Sequence, residues 1–389
     1  MRELVKYGAS ALLLAAGVVA AAPSYAEGTI KIGWLSPTSG GAASVGVPQL
    51  EGAEVAVQEI NDAGGVLGMK IELLARDTQA TPNVAVAAAK ELISKEGVKV
   101  ILGPSTSGAA LAISEVAKAE KIVQILPSAK SKQLTDEKLH KYIFQMSATT
   151  DTDAERLFAI AQKVGAKKVC FAGYDYAYTT DLFDAARKLV EADPAMEAGG
   201  QYMIKLGATD FSTIVSQLMA DSCDTIFGGV WGGGFTAFAK QAEPFGLFKS
   251  KKLVWGGTMG AYEAAVALKG AFPEGLYSHS PDLWYADGNA EHQAYLQSFE
   301  KYKGTKEPAS FAILGYIGVK TAVAAIEKAG EVDADKIVAA LEGMTISTPV
   351  GETTIDPKSH RADLPEFYGP IVTVEGSDIK RMSPATLMK

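Results

Sequence analysis

The sequence predicts an α/β protein of two similar lobes, each built on a mostly parallel sheet. Short β-branched runs alternate with longer segments whose apolar residues recur at helical spacing, the pattern of βαβ units. The alternation pauses near residue 147 and then restarts, so the unit occurs twice. The 389-residue length suits two or three domains, and 48% hydrophobic with 21% charged residues is an ordinary globular composition.

The first segment is an export label. Arg2 and Lys6 precede an apolar run from Ala9 to Ala22, Pro23 breaks it, and Ser24-Tyr25-Ala26 offers small residues at the two positions a signal peptidase reads. Cleavage is expected after Ala26. The run is shorter than the ~20 residues that span a bilayer, and no Cys follows Ala26 to carry a lipid. A periplasmic protein is expected, with the mature chain starting at Glu27.

In the mature chain, Ile30–Leu35 reads as a strand followed by a Gly/Ser-rich loop from Pro37 to Gly46. Gln49–Ala63 is a helix ended by Gly64-Gly65. Lys70–Asp77 (strand), Pro82–Glu96 (helix), Val98–Leu102 (strand), Gly108–Ala119 (helix) and Ile122–Leu126 (strand) follow. After Tyr142–Ser147 the pattern resumes with a helix at Asp153–Val164, a strand at Lys168–Gly173 and a helix at Asp181–Ala192. Gln201–Lys205 and Thr225–Val230 are strands, separated and followed by helices at Phe211–Met219 and Phe235–Phe245. Leu253–Gly256 and Gly275–Ser278 add strands. Helical patterns at Ala290–Tyr302, Phe311–Ala329 and Ala334–Leu341 lead into a β-rich tail. Two α/β sets plus a return segment imply a chain that crosses between lobes more than once, with the ligand cleft between them.

Charge and composition exclude several functions. A formal charge of −8 leaves no electrostatic footprint for nucleic acid. Four histidines and two cysteines offer no metal cluster, so no metal or cofactor is expected. Cys170 and Cys223 lie in or beside strands that could be sheet neighbours. Buried free thiols are the favoured reading there, with a bridge as the alternative.

Ligands of open parallel sheets sit beyond the carboxyl ends of the strands, opposite helix N-termini. The most informative such loop is Gly103-Pro104-Ser105-Thr106-Ser107-Gly108. Unpaired N–H groups and the helix dipole suit a carboxylate there, and three hydroxyls exceed the one that capping needs. The next loop brings Ser128 and the cation of Lys130. Trp34, Tyr178 and Trp231 stand at strand ends and can lay flat faces on a guest. The Gly-rich stretch from 228 to 234 lacks the dinucleotide order, and Gly103–Gly108 lacks the P-loop lysine. No G-x-S-x-G elbow, H-E-x-x-H or C-x-x-C occurs, so no enzyme is expected.

Lys31–Gly40, Gln58–Gly68, Ile101–Ser107, Gly207–Ser212 and Thr348–Gly351 resemble, in order, blocks of type I periplasmic solute-binding proteins of the branched-chain amino acid branch. The resemblance covers essentially the whole mature chain. It implies two Rossmann-like lobes joined by a three-segment hinge, with crossings near Ser147, Ser278 and Glu366. The N-terminal lobe would then be 27–147 with 279–366, and the C-terminal lobe 148–278 with 367–389. It further implies a monomer that traps a small solute by hinge closure and delivers it to an inner-membrane ABC permease.

The resemblance assigns the ligand carboxylate to Ser107, with Ser105 as a backbone contact, and places Tyr178 and Trp231 in the pocket wall. Thr179 replaces a family glycine and Val45 a frequent tyrosine. Lys130 stands where amino-acid binders carry Thr, and the acid that pairs with an α-ammonium is missing around Gly256–Gly260. An ammonium buried without a counter-charge is costly. The expected guest is therefore an aromatic carboxylate without an amine, benzoate- or phenylpropanoid-like. Ser105, Thr106, Ser107, Ser128 and Lys130 would hold its charge and Trp34, Tyr178 and Trp231 its ring, with Thr258 reaching a substituent. The alternatives are a branched-chain or other aliphatic amino acid, a ligand sensor, or an extracellular enzyme on the same scaffold.

Overall fold

A computed structural model describes residues 28–388; the expected signal peptide lies outside the described residues. The first sheet holds β1 (Thr29–Ser36), β2 (Lys70–Asp77), β3 (Val100–Leu102), β4 (Val123–Leu126) and β5 (Ile143–Gln145). Its strands are all parallel, in the order 2-1-3-4-5. Helices α1 (Ala43–Asp62), α2 (Pro82–Glu96) and α3 (Ser107–Glu120) make the crossovers. Local chemistry sets α2 well: Pro82 occupies its first turn, where a missing N–H costs nothing, and Gly97 ends it in the left-handed conformation.

After α4 (Thr150–Lys163), the same order is built again from β6 (Lys168–Asp175), β7 (Glu197–Lys205), β8 (Thr225–Gly229), β9 (Lys252–Trp255) and β10 (Tyr277–Ser280). Helices α5 (Ala177–Ala192), α6 (Ser212–Ala220), α7 (Gly232–Ala242), α8 (Leu247–Ser250) and α9 (Tyr262–Leu268) lie between these strands. The chain then returns to the first sheet with α10 (Ala290–Lys303), α11 (Ala312–Ala329) and α12 (Ala334–Leu341), which pack on α1 and on β3 and β4. A hairpin of β11 (Thr345–Thr348) and β12 (Gly351–Thr354) follows. Last, β13 (Glu366–Val372) joins β10 antiparallel, and β14 (Arg381–Met382) and β15 (Thr386–Met388) flank it.

The chain therefore passes between sheets three times, after β5, after β10 and before β13. The second passage begins later than Ser278, because the β10 ladder continues to Ser280 opposite Phe367. The returning segment runs beside the departing one: Ala362 donates its N–H to Gln145 O at 2.8 Å and Leu364 to Met146 O at 3.2 Å.

The cysteines are joined. Cys170 on β6 and Cys223 ahead of β8 form a disulfide with Cα atoms 5.8 Å apart. The favoured expectation of free thiols is corrected. The reason is strand order: β6 and β8 are direct parallel neighbours, and the Asp224 N–H donated to Lys168 O holds the turn before β8 against the start of β6, within bridging distance of Cys170. Among the described residues, no helix is long and apolar enough to cross a membrane.

Candidate functional site

In a sheet of order 2-1-3-4-5 the chain leaves β1 and β3 in opposite directions, which opens a crevice at their carboxyl ends. The first sheet has this point between β1 and β3; the second has it between β6 and β8. The two points face each other across one cleft. From the first lobe come Pro37, Val45, Ser105 and Ser107, and from the second Tyr176, Tyr178 and Trp231.

The N-terminus of α3 forms one wall. Thr106 is its N-cap residue, yet no side chain caps the helix, and the Thr106 hydroxyl is buried without a partner. The expectation that one hydroxyl must cap is thus not met. The first N–H groups of α3 have no intrahelical acceptor, and the dipole adds partial positive charge there. Around this end, Ser105 Oγ donates to Gln49 Oε1 at 2.5 Å, and Gln49 Nε2 donates to Ser128 Oγ at 3.0 Å. Ser131 N–H donates to Ser107 Oγ at 3.2 Å. Ser105, Ser107 and Ser128 all line the cleft; Thr106 does not.

Lys130 lines the cleft but is not a free cation. Its ammonium reaches both oxygens of Asp153, at 3.2 and 3.1 Å, and Glu366 Oε2 at 2.6 Å. All three groups are buried. Burial alone would pull the Lys130 pKa down, but the two carboxylates outweigh it and hold it above the ordinary lysine value. For Glu366, burial would raise the pKa; Lys130 and the His279 N–H overcome this and hold the carboxyl below the usual range. The premise that Lys130 stands without a nearby acid is corrected. Its partners come from distant segments, Asp153 on α4 and Glu366 at the start of β13.

Hydrogen bonds extend this network. Thr258 N–H donates to His279 Nε2 at 3.1 Å, so that nitrogen is an acceptor. The ring proton facing Glu366 then sits on Nδ1, 3.0 Å from Glu366 Oε2. Tyr368 OH lies 3.3 Å from Asp153 and 3.4 Å from Glu366 and accepts from Arg156 at 3.3 Å. Two cations, Lys130 and Arg156, balance two carboxylates. Asp153, His279 and Glu366 each offer a potential metal-ligand atom, all within 4.8 Å of one another. The Lys130 ammonium already bridges the two carboxylates, and the second histidine nitrogen is engaged.

The opposite wall is aromatic. Tyr176 and Tyr178 have ring centroids 6.0 Å apart, and Tyr176 and Trp231 likewise. Tyr178 OH accepts the Gly257 N–H at 2.8 Å, which fixes the ring. Gly257 has φ +68°, and a Cβ there would lie 2.9 Å from Trp231 Cβ, so the position requires glycine. Thr258 beside it also lines the cleft. Trp34 does not. It is 1% exposed in the core, and its Nε1–H donates to Ser36 Oγ at 2.9 Å. Its place in the ring-binding set is corrected: alternation along β1 turns it inward toward α1.

Sequence reasoning missed Glu366, Tyr176 and the aliphatic Ile313, Leu314, Ile317 and Val350 of the lining. Glu366 carried a signal, an acid among apolar residues at an expected crossing. The lobes touch beside the cleft. Asp181 on α5 accepts from Ser131 Oγ and, at 2.9 Å, from Gln133 Nε2. Across the opening, Gly233 abuts Gly41.

Paired parallel sheets whose switch points face each other across a cleft lined from both lobes are the architecture of a two-lobed binding protein. The chain belongs to the periplasmic binding protein family, whose model matches residues 29–375. It is a type I member of the branched-chain amino acid group and the solute-binding component of an ABC transporter. It is similar to the leucine-, isoleucine-, valine-, threonine- and alanine-binding protein of Pseudomonas aeruginosa. The two are 28% identical over 358 residues, 91% of this chain and 93% of that protein. Its fold matches a solute-binding protein from Rhodopseudomonas palustris HaA2 in complex with p-hydroxybenzoic acid. The TM-score is 0.80 at 27% identity, covering 92% of this chain and 97% of that one. It also matches LivJ of Streptococcus pneumoniae in complex with isoleucine, with a TM-score of 0.77 at 25% identity and coverage of 93% and 100%.

Proposed function

We propose that this protein traps a small aromatic carboxylate between its lobes and presents it to an inner-membrane ABC permease. One observation carries the reading: the uncapped N-terminus of α3 opens onto a cleft whose far wall is three aromatic rings. The carboxylate would take the free N–H groups of α3 with the hydroxyls of Ser107 and Ser128, whose oxygens accept from Ser131 N–H and Gln49 Nε2 and leave their protons to donate, beside Ser105. The ring would lie against Tyr176, Tyr178 and Trp231. Lys130 contributes little net charge, since Asp153 and Glu366 already match it. The R. palustris protein with p-hydroxybenzoic acid supports this class of guest.

The three crossings would act as a hinge, with contacts from both lobes favouring the closed form. Binding without turnover is the proposed role, as for the relatives. A second reading, a branched-chain amino acid, is favoured by the Glu366 carboxylate in the cleft and by the aliphatic side chains of α11. The P. aeruginosa relative and LivJ support it.

A thermal-unfolding panel decides between them. At 100 times its Kd a true ligand adds about 2.7 kcal/mol of stability. Stabilisation by benzoate or 4-hydroxybenzoate and not by leucine, isoleucine or valine is expected. The reverse pattern would establish the second reading.

A further inference from the structure

The carboxylate of Glu366 is used on one oxygen only. Oε2 receives the Lys130 ammonium at 2.6 Å, the His279 Nδ1–H at 3.0 Å and Tyr368 OH at 3.4 Å. Oε1 receives no hydrogen bond among the described residues and is not one of the sealed-in orphan atoms. Glu366 itself lines the cleft, beside Pro365 and Leu364. Such one-sided use is unusual for a buried carboxylate, which ordinarily engages both oxygens because an idle one forfeits hydration.

We infer that Glu366 Oε1 is a recognition group: it accepts a hydrogen bond from a donor on the guest, so the site selects carboxylates that carry a second, protic substituent. The inference rests on the carboxylate reading above and adds a second pole to it. One pole of the cleft, at α3, offers donors to an anion. The other, at Glu366, offers an acceptor held in place by three donors behind it. Lys130, His279 and Tyr368 keep Oε2 occupied, so the carboxylate cannot turn to feed itself. A guest with an acceptor there instead of a donor would face oxygen against oxygen. The protic group can be a ring hydroxyl or an ammonium, and both present the same chemistry to Oε1.

Isothermal titration with matched pairs separates the terms. In the aromatic pair, 4-hydroxybenzoate is compared with benzoate and with 4-methoxybenzoate, which keeps the oxygen and loses the proton. In the aliphatic pair, leucine is compared with 4-methylpentanoate. In the pair that binds, the protic member is expected to bind at least tenfold tighter than its partner. In Glu366→Gln, that ratio is expected to fall below threefold, whereas a merely structural role would weaken both members equally. Equal affinity within the pair that binds, or an unchanged ratio in the variant, overturns the inference. If Glu366→Gln fails to fold, the comparison within the binding pair on the unaltered protein still decides. The carboxylate reading is tested separately by 4-hydroxybenzamide: binding as tight as that of 4-hydroxybenzoate would sink that reading and leave the hydroxyl preference standing.

Discussion

Lys130 is a bridge between lobes more than a ligand cation. Removing its charge as Lys130→Met would strand two buried carboxylates, at a cost of about 3–5 kcal/mol. The pH dependence follows from the directions of the shifts. The raised ammonium contributes fully below the unfolded lysine value of about 10.4, and its contribution is lost as pH rises through the higher folded value. The depressed Glu366 carboxyl contributes above the unfolded value of about 4.3 and loses its effect as pH falls through the lower folded one. The stability gap between wild type and Lys130→Met, read from chemical denaturation, should be widest and flat from about pH 5 to 10 and narrow on both sides. A gap independent of pH would mean that the ion pair is not what the substitution removes. None of this was legible in the sequence. A lysine in a polar loop shows its charge but not its partners, and Glu366 lies 236 residues away. Trp34 fails for a related reason, since an aromatic at a strand end can face either side of the sheet.

Elements were easier to read than side chains, because hydrophobic period is a local property. The parallel strands and the long helices fall where alternation placed them; their ends do not. Helix α5 starts at Ala177, where the pattern began at Asp181, because Tyr178, Thr179 and Thr180 are weak helix formers that tertiary packing overrides. That shift puts Tyr178 on the first turn of α5, facing the cleft. Close packing of α1 on α11 was also hidden. A Cβ at Gly315 would lie 1.8 Å from Gln49 O, and one at Gly52 1.8 Å from Ala312 O. Alanine is the better helix former by about 1 kcal/mol, so an uncrowded Gly315 would gain from substitution. With backbone atoms in the way, overpacking should win, and Gly315→Ala should lose about 2–3 kcal/mol in equilibrium unfolding. A stabilised variant would show that the two helices stand further apart.

At the scale of the molecule, one doubled topology generates the cleft. Each lobe has its switch point at the same place in its strand order, and the three crossings turn the two points toward each other. The sequence carried the doubling and the hydroxyl-rich loops with Lys130 at the strand ends. It did not carry the electrostatic pairing inside the gap, which depends on where α4 and β13 meet the loop after β4. Recognition is proposed to centre on the carboxylate of the guest at the start of α3. A crystal structure of the complex with 4-hydroxybenzoate tests it most directly. Carboxylate oxygens are expected at roughly 2.7–3.2 Å from the N–H groups of Ser107 or Gly108 and from a serine hydroxyl. A carboxylate found on Lys130 with Glu366 displaced, or a guest seated outside the gap between the lobes, would contradict it.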